Sequence, residues 1–240
     1  MDLVSDVVLI VGSGPNALVA AEWGRHHFDH IVAINNAWRI RDDWSHLIYP
    51  EDFPLERRPA VVTSEQSVVV HTDYVPQNNA FGGVLFAGGT MAFTAGYWAV
   101  GALRPRVLAF IGCDMVYPTD GRTHFYGTGA ADPLRDDVSL QCLEAKSARL
   151  ALLAAQSGCL CVNLSGDASR LVFPKHAVEN LTNVAGPDPS TSEAIEELRN
   201  AEAALGYDAP SGRYWEIIDR IDREALAKID AQWLSIWNSN

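Results

Sequence analysis

Short runs of apolar residues alternate with polar and small-residue stretches along the chain as far as Gly166. The first run, Val7–Val11, is followed by a glycine-rich turn and then by small apolar residues from Ala17. A fully apolar, β-branched run bounded by Gly or Pro is typical of a buried strand in a parallel sheet. Similar runs predict further strands at 30–34, 47–49, 60–63, 67–70, 107–112 and 159–164.

Longer stretches with apolar residues at helical spacing separate these runs. The spacing predicts one helix at 91–103, which carries small residues on one face, and another at 139–156. The stretch 75–83 is rich in Pro, Asn and Gly, which predicts a loop. Strands that alternate with helices predict an α/β fold. We expect a doubly wound, mostly parallel, Rossmann-like sheet, with its ligand crevice beyond the carboxyl ends of the strands.

The alternation ends after Gly166, and this change divides the chain. We expect a Rossmann-like nucleotide-binding domain at 1–184, which includes a lid loop at 117–137. A Pro- and Ser-rich linker is expected at 185–191, and a C-terminal helical appendage at 192–240.

The appendage contains two predicted helices, at 192–205 and 212–237. Apolar residues step by three and four along the second helix, at Tyr214, Ile218, Ile221, Ala225, Ile229, Trp233 and Ile236. A seam of this kind has two interpretations. It either caps the core of the domain or forms the subunit interface of a homo-oligomer.

Composition narrows the expected partners and compartment. The chain has 240 residues, a net charge of −12 and no run of basic residues, so nucleic acid is not an expected partner. Its apolar runs are shorter than the roughly 18 residues of a membrane span, and no signal peptide is predicted, which favours a cytoplasmic protein. Cys113, Cys142, Cys159 and Cys161 lack the spacing of a zinc site or disulfide framework, so we expect buried free thiols.

The turn after the first strand has the residues of a phosphate-binding turn: Gly12, Ser13, Gly14, Pro15 and Asn16. Pro suits the first position of a helix, and a helix N-terminus directs its amides and partial positive charge at an anion. Gly12 and Gly14 also fit the dinucleotide fingerprint, which requires an acid about 20 residues further on.

No acid ends the second predicted strand, where Asn35 and Asn36 stand instead. This amide pair is placed to contact a ribose or a base, and it disfavours NAD and FAD. A second glycine turn, Gly88-Gly89-Thr90, begins the helix at 91–103 and adds another candidate phosphate contact.

Candidate catalytic side chains follow the predicted strand at 107–112. Asp114 ends that strand, and Tyr117, His124 and Tyr126 lie on the lid loop. A His with neighbouring tyrosines on such a loop is a candidate general base. His176 is the alternative base elsewhere in the chain.

The same turns and strand ends resemble those of the bacterial sialyltransferases of glycosyltransferase family 42. They are also similar to those of the 6-hydroxymethylpterin diphosphokinase MptE-like proteins. Gly14 and Pro15 match the first turn of the sialyltransferases, with Ser13 in place of the family's Asn. Asn35 or Asn36 matches an Asn that contacts the nucleotide, and Thr90 falls in a turn that touches the donor.

The resemblance also covers the candidate catalytic residues. Asp114 and Tyr117 match a strand end whose Tyr binds the departing phosphate, and Tyr126 is the candidate for a second such Tyr. The family's catalytic His precedes the last strand, but the corresponding stretch 136–141 contains no His. Either His124 has taken over its role, or this protein performs different chemistry on the same nucleotide platform.

The resemblance implies a metal-independent glycosyltransferase that moves a sugar from a CMP-linked donor to a hydroxyl of a small molecule or glycan. No obligatory cofactor is expected. Two alternatives remain: a nucleotide-dependent diphosphokinase, in which Asp114 and Asp52 would hold Mg²⁺, and a non-catalytic nucleotide-binding scaffold.

Overall fold

Six strands form an all-parallel sheet in the computed structural model, which describes residues 6–117, 121–129, 134–187 and 192–239. The strands are β1 Val7–Val11, β2 His30–Ile34, β3 His46–Ile48, β4 Ser67–Val69, β5 Val107–Ile111 and β6 Leu160–Asn163. Their order across the sheet is β4-β3-β2-β1-β5-β6, so the direction of winding reverses between β1 and β5. The predicted Rossmann-like α/β fold is therefore confirmed.

Helices cover one face of the sheet, and tight turns cover the other. The α-helices are α1 His71–Ala80, α2 Val84–Ala87, α3 Met91–Ala102, α4 Leu143–Gln156, α5 Ser192–Ala204 and α6 Arg223–Asn238. Short 3-10 helices occupy Pro15–Glu22, Arg25–His27, Asn35–Arg39, Leu55–Arg57, Val138–Leu140, Val178–Asn183 and Tyr214–Arg220.

Alternate strand residues build two cores because successive side chains of a strand point to opposite faces. Ile10 of β1 packs with the α3 and α4 side of the sheet, and Leu9 packs with Ala17 and Phe28 on the other side. All five residues of β1 are buried. Burial on both faces explains why the strand sequences are continuously apolar.

Two predictions in the middle of the chain are wrong. Residues 60–63 form no strand, and Val61 is exposed. Most of the predicted loop at 75–83 belongs to α1, which continues through Pro76 and ends at Ala80. The Asp73 carboxylate accepts a hydrogen bond from the Val70 amide at 2.9 Å at the start of this helix, and its inner face is buried against the core.

The segment after the first glycine turn is a 3-10 helix, whereas the sequence predicted an α-helix. It runs from Pro15 to Glu22 and begins with a bond from the Ala17 amide to the Gly14 carbonyl. The crossover from β1 to β2 is therefore made of short 3-10 turns, and no α-helix N-terminus follows this turn.

The predicted helix at 212–237 is divided in two. The first piece is the 3-10 helix Tyr214–Arg220. Asp222 then caps α6, because its carboxylate accepts hydrogen bonds from the Glu224 and Ala225 amides at 2.8 and 3.2 Å. Ile229 and Trp233 of the seam are buried within the chain. The seam thus caps the core at these two positions, whereas Ile218 of the same seam is exposed. The homo-oligomer remains a prediction.

Two buried ion pairs connect α4 to the C-terminal helices. Lys146 Nζ lies 2.8 Å from an Asp230 oxygen of α6, and Arg149 Nη2 lies 2.7 Å from a Glu202 oxygen of α5. Trp233 Nε1 also donates to Glu202 at 2.7 Å. Burial raises the pKa of Asp230, and the neighbouring Lys146 ammonium opposes that rise. These pairs are costly to desolvate, so each is sensitive to loss of one partner.

Some predicted features fall partly outside the described residues. Positions 118–120 and 130–133 of the lid loop and 188–191 of the linker are not described. All four cysteines are free; Cys142 is half-buried, and the other three are buried as predicted.

In the described ranges, no helix has both the length and the apolar character needed to cross a membrane.

Candidate functional site

An open cleft of about 1060 Å³ lies beyond the carboxyl ends of β1, β2, β3 and β5. This is where the winding of the sheet reverses, the usual ligand position in open α/β sheets. Most predicted site residues line it: Gly12, Ser13, Gly14, Asn35, Asn36, Gly89, Thr90, Tyr117, His124 and Tyr126. Pro15, Asn16 and Asp114 do not line it.

The glycines of the first turn serve packing between β1 and β5. The amides of Gly12 and Gly14 donate to the carbonyls of Ile111 and Gly112, each at 2.8 Å. A Cβ at Gly12 would lie 2.3 Å from the Gly112 oxygen, so a larger residue has no room. Contrary to the sequence-based expectation, these two amides are not available to a phosphate.

Asp114 is held by amide side chains behind the turn. Asn16 Nδ2 donates to its Oδ2 at 2.7 Å, and Asn163 Nδ2 donates to its Oδ1 at 3.2 Å. Asp114 therefore ties the first turn to β6 as a positioning residue, and the prediction that it is a catalytic residue is not supported. The same bonds occupy the carboxylate that was expected to share Mg²⁺ with Asp52, which itself lines the cleft.

Three buried polar atoms at the ends of β1 and β2 have no hydrogen-bond partner among the described residues. They are Ser13 Oγ, Asn35 Oδ1 and Asn36 Oδ1. A buried polar group without a partner costs about 1–3 kcal/mol. Asn36 is only 3 % exposed, yet it lines the cleft. A ligand whose donor groups reached these atoms would supply the hydrogen bonds that they lack.

The backbone is strained at the same edge of the sheet. Asn35 has φ 52° directly after β2, and Met115 has φ 55° after β5. Asn tolerates this left-handed conformation, but Met rarely adopts it. Both residues line the cleft. Such strain persists where the surrounding structure fixes it, often at binding sites.

The lid loop folds back onto the first turn. His124 and Gly127 exchange backbone hydrogen bonds at 2.9 and 3.1 Å, and the Phe125 amide donates to the Ser13 carbonyl at 3.0 Å. The His124 ring stacks on Tyr126, with centroids 5.0 Å apart, and lies 6.1 Å from the Tyr117 ring. The loop thus brings the predicted base and both tyrosines into the cleft beside Ser13.

Thr123 holds the His124 ring at Nδ1. The Thr123 hydroxyl lies 3.1 Å from the Gly129 carbonyl and 2.8 Å from His124 Nδ1, and it accepts a hydrogen bond from the Gly129 amide at 2.8 Å. The direction of the bond to Nδ1 depends on the tautomer of the ring. His176, the alternative base, follows β6 and does not line the cleft.

The second glycine turn is also engaged by protein groups. The Gly89 amide donates to Ser139 Oγ at 3.0 Å, and its carbonyl accepts from Arg135 at 2.8 Å. Thr90 caps α3 by accepting from the Ala92 amide at 3.1 Å. What this turn presents to the cleft is the positive N-terminal end of α3, at Thr90 and Met91.

Several cleft residues were missed by sequence reasoning. Arg39, Arg57 and Arg135 line the cleft of this acidic protein, as do Glu51, Tyr214 and Trp215. The arginines lie on 3-10 and irregular segments, whose position no periodicity reveals. Tyr214 and Trp215 come from the C-terminal region, which the sequence pattern assigned to a separate appendage.

Tyr214 belongs to a hydrogen-bonded network at the edge of the cleft. Its hydroxyl donates to Asp137 Oδ2 at 2.6 Å, and Ser139 Oγ donates to Asp137 Oδ1 at 2.6 Å. Burial raises the pKa of Asp137, but the hydrogen bonds from Ser139 and Tyr214 outweigh it and lower the pKa overall. Burial and the bond to Asp137 raise the pKa of Tyr214. Asp137 is therefore an anion that fixes the position of Tyr214.

Comparison of the chain with protein-family models, characterised proteins and solved structures finds no significant match. The case for a function therefore depends on the chemistry of the cleft. Within the described ranges, no group of three or more His, Cys, Asp or Glu side chains is arranged to hold a metal ion.

Proposed function

We propose that this protein is a glycosyltransferase that binds a nucleotide-linked sugar, with CMP as the nucleotide, and transfers the sugar to an acceptor hydroxyl. The observation that carries the proposal is the group of unpaired buried atoms, Ser13 Oγ, Asn35 Oδ1 and Asn36 Oδ1, at the ends of β1 and β2. A nucleoside supplies the donors that these atoms lack, from its ribose hydroxyls and its base.

Cytosine suits an Asn side chain because the two have complementary edges. An Asn carbonyl accepts from the exocyclic amino group of cytosine, and its amide NH₂ donates to the adjacent ring nitrogen. A dinucleotide is less well supported, since its fingerprint requires an acid where Asn35 and Asn36 stand. The amides of Gly12 and Gly14, which would face its diphosphate, are already bonded to β5.

Positive groups and hydroxyls line the part of the cleft nearest the lid loop. Tyr117 and Tyr126 carry hydroxyl donors, Arg135 carries a cation, and Thr90 begins α3 at its positive end. Hydrogen bonds from such groups to a phosphate strengthen as negative charge develops on it. They would therefore stabilise a departing nucleoside monophosphate more than the intact donor.

The proposed reaction is a single displacement. The acceptor oxygen forms a bond to the anomeric carbon of the sugar while the bond from that carbon to the phosphate oxygen breaks. The bonding electrons leave with CMP, whose charge the tyrosine hydroxyls stabilise. The acceptor proton passes to Nε2 of His124, because Nδ1 is bonded to Thr123.

Variants at Asn36 provide the test of the proposal. Because Asn36 Oδ1 has no partner, Asn36→Ala should leave the stability of the empty protein unchanged or slightly higher, while it removes a nucleotide contact. CMP should raise the melting temperature of the wild type, since a ligand at about 100 times its Kd adds about 2.7 kcal/mol. We expect this increase to be lost in Asn36→Ala and kept in Asn183→Ala, at an exposed Asn outside the cleft.

The same experiment separates the alternatives. NAD or FAD should leave the melting temperature unchanged; stabilisation by NAD but not by cytidine nucleotides would favour a dinucleotide enzyme. Release of CMP from CMP-linked sugars, measured by chromatography, tests for transfer or hydrolysis. Nucleotide binding without release from any CMP-, UDP- or GDP-linked sugar would instead indicate the scaffold. Metal-dependent diphosphate transfer would indicate the kinase.

A further inference from the structure

Two histidines face each other at the end of the sheet away from the cleft. His30 begins β2 and His46 begins β3, and the parallel pairing places His46 beside Val32. Because His30 and Val32 are two residues apart, both imidazoles leave the sheet on the same face. That face is the α3 side, where the Trp98 ring meets the His46 ring at 5.1 Å. Neither histidine takes part in the proposed transfer reaction.

Both rings line a second open pocket, of about 630 Å³, at this end of the sheet. Both are half-buried, so water reaches them. The described charged residues that line the pocket are Arg25 and four acids, Asp29, Asp42, Asp43 and Glu65. Even with Asp43 paired to Arg41 at 2.7 Å, this lining keeps a net negative charge. A pocket of this charge attracts cations.

The two imidazoles are spaced as ligands of a single metal ion would be. His30 Nδ1 lies 3.2 Å from His46 Nε2. Two nitrogens that each bind zinc at about 2.0–2.1 Å lie about 3.3 Å apart at the tetrahedral angle. A straight hydrogen bond of 3.2 Å would place the ring centroids further apart than the observed 5.1 Å, so the contact is bent. A hydrogen bond between these nitrogens needs one proton, and a metal ion would take its place.

The other ring nitrogen of His46 is held by a hydroxyl group. His46 Nδ1 lies 2.7 Å from Ser67 Oγ of β4. A neutral histidine that binds a metal through Nε2 carries its proton on Nδ1, and Ser67 Oγ is placed to accept the hydrogen bond from it. Outer partners of this kind fix the orientation of a metal-binding ring. The strands β2, β3 and β4 thus contribute one residue each to the arrangement.

We infer that His30 and His46 bind one divalent transition-metal ion of the kind that prefers imidazole, namely Cu²⁺, Ni²⁺ or Zn²⁺. Ring nitrogens suit these ions, whereas Mg²⁺ and Ca²⁺ prefer oxygen ligands. No third His, Cys, Asp or Glu among the described residues completes a ligand set, so water from the pocket fills the remaining positions. The ion clamps β2 to β3 and stabilises the folded chain, because the unfolded chain does not hold the two rings together.

Titration of the full chain with metal ions tests the site. Protein without an affinity tag is treated with EDTA, dialysed, and titrated with ZnCl₂ in a calorimeter, with NiCl₂ as a second probe and MgCl₂ as the negative control. We expect one Zn²⁺ or Ni²⁺ per chain and no binding of Mg²⁺. Ser67→Ala should raise the Kd about tenfold, since loss of an outer partner typically costs about 10–100-fold. His30→Asn and His46→Gln should each raise it further.

His26→Gln is the matched control. His26 and His27 form another neighbouring pair, with ring centroids 4.1 Å apart, but neither lines the pocket. We expect this variant to bind Zn²⁺ as the wild type does. If binding is lost in His26→Gln and kept in His30→Asn, the other pair holds the ion and the inference is wrong. A wild type that binds neither Zn²⁺ nor Ni²⁺ would also overturn it.

A measurement on the wild type avoids any dependence on how the variants fold. Cu²⁺ is paramagnetic, so a small fraction of one equivalent broadens the NMR signals of the rings that bind it. The imidazole signals of His30 and His46 should broaden before those of the other histidines. Broadening that begins at His26 or His71, with His46 unaffected, would contradict the site.

Discussion

A single hydroxyl group connects the His124 ring to the rest of its hairpin. Thr123 Oγ lies 2.8 Å from His124 Nδ1 and also bonds the carbonyl and the amide of Gly129. Thr123 thus acts through His124, in the manner of a group that orients a base.

His124→Asn should lower turnover of the proposed transferase by about 10²-fold or more, with little change in CMP affinity. The reason is that Asn keeps hydrogen-bonding capacity in the hairpin but cannot accept the acceptor proton. Initial rates and CMP titrations would be compared with those of His176→Asn, whose side chain lies outside the cleft. Equal losses in the two variants, or a His124→Asn enzyme with wild-type rates, would exclude His124 as the base.

For single residues, the sequence predicted which side chains line the cleft better than it predicted what each of them does. Asn36 and His124 were identified because strand ends and glycine-rich loops meet at one edge of a parallel sheet. The role of Asp114 was not predictable, because its partners Asn16 and Asn163 come from distant parts of the chain. A strand-end carboxylate looks the same in the sequence whether it faces the cleft or lies behind it.

Among the elements, the contact between the turns after β1 and β5 is the tightest backbone approach at the site. A Cβ at Gly12 would meet the Gly112 oxygen at 2.3 Å and Cys113 Sγ at 2.6 Å. The two strands are paired along their whole length, so neither turn can withdraw without breaking the ladder. The pairing of β1 with β5 therefore leaves no room for a side chain at Gly12.

Gly12→Ala should lower the free energy of unfolding by about 1–3 kcal/mol, as overpacking does, even with no ligand present. Gly166→Ala is the control, since a Cβ there meets nothing within 4 Å, and its effect should stay within about 0.5 kcal/mol. Urea unfolding of both variants measures this. A fully stable Gly12→Ala protein that no longer binds CMP would show instead that the glycine serves the ligand.

Elements were predictable where their pattern was local and strong. The strands β1 and β5 are wholly apolar and buried on both faces, so their runs were unmistakable. Residues 60–63 are also mostly apolar, but they are exposed and form no strand. The path of Tyr214 and Trp215 to the cleft was not predictable, because it depends on long-range bonds to Asp137 and Glu51.

For the whole molecule, the half-buried imidazole of His46 predicts sensitivity to mild acid. His46 hydrogen bonds to Ser67 at 2.7 Å and to His30 at 3.2 Å, at the end of the sheet opposite the cleft. Burial and the neighbouring His30 lower the pKa of His46 to about 4, and burial also lowers the pKa of His30. At pH values between about 4 and the ordinary histidine pKa of 6.5, the unfolded chain therefore binds more protons than the folded one.

Stability should therefore be complete above pH 6.5 and fall as the pH decreases towards about 4. We expect a loss of about 1–2 kcal/mol from His46 between pH 7 and 5, allowing for its partial exposure to solvent. Urea unfolding at these two pH values would show a smaller loss in His46→Gln. The exposed His26→Gln variant should keep the wild-type dependence; if His46→Gln did so too, the acid sensitivity would arise elsewhere.

The ion pairs on α4 also restrict which C-terminal helices could replace those of this protein by gene recombination. Lys146 and Arg149 lie in the crossover helix of the sheet, but their counter-charges, Asp230 of α6 and Glu202 of α5, lie beyond the predicted linker at 185–191. A foreign domain joined in place of 192–240 would have to supply two carboxylates at matching positions. Without them, each covered cation would cost about 3–5 kcal/mol. Recombination at the linker is therefore disfavoured, and α4 and the C-terminal helices would be inherited together.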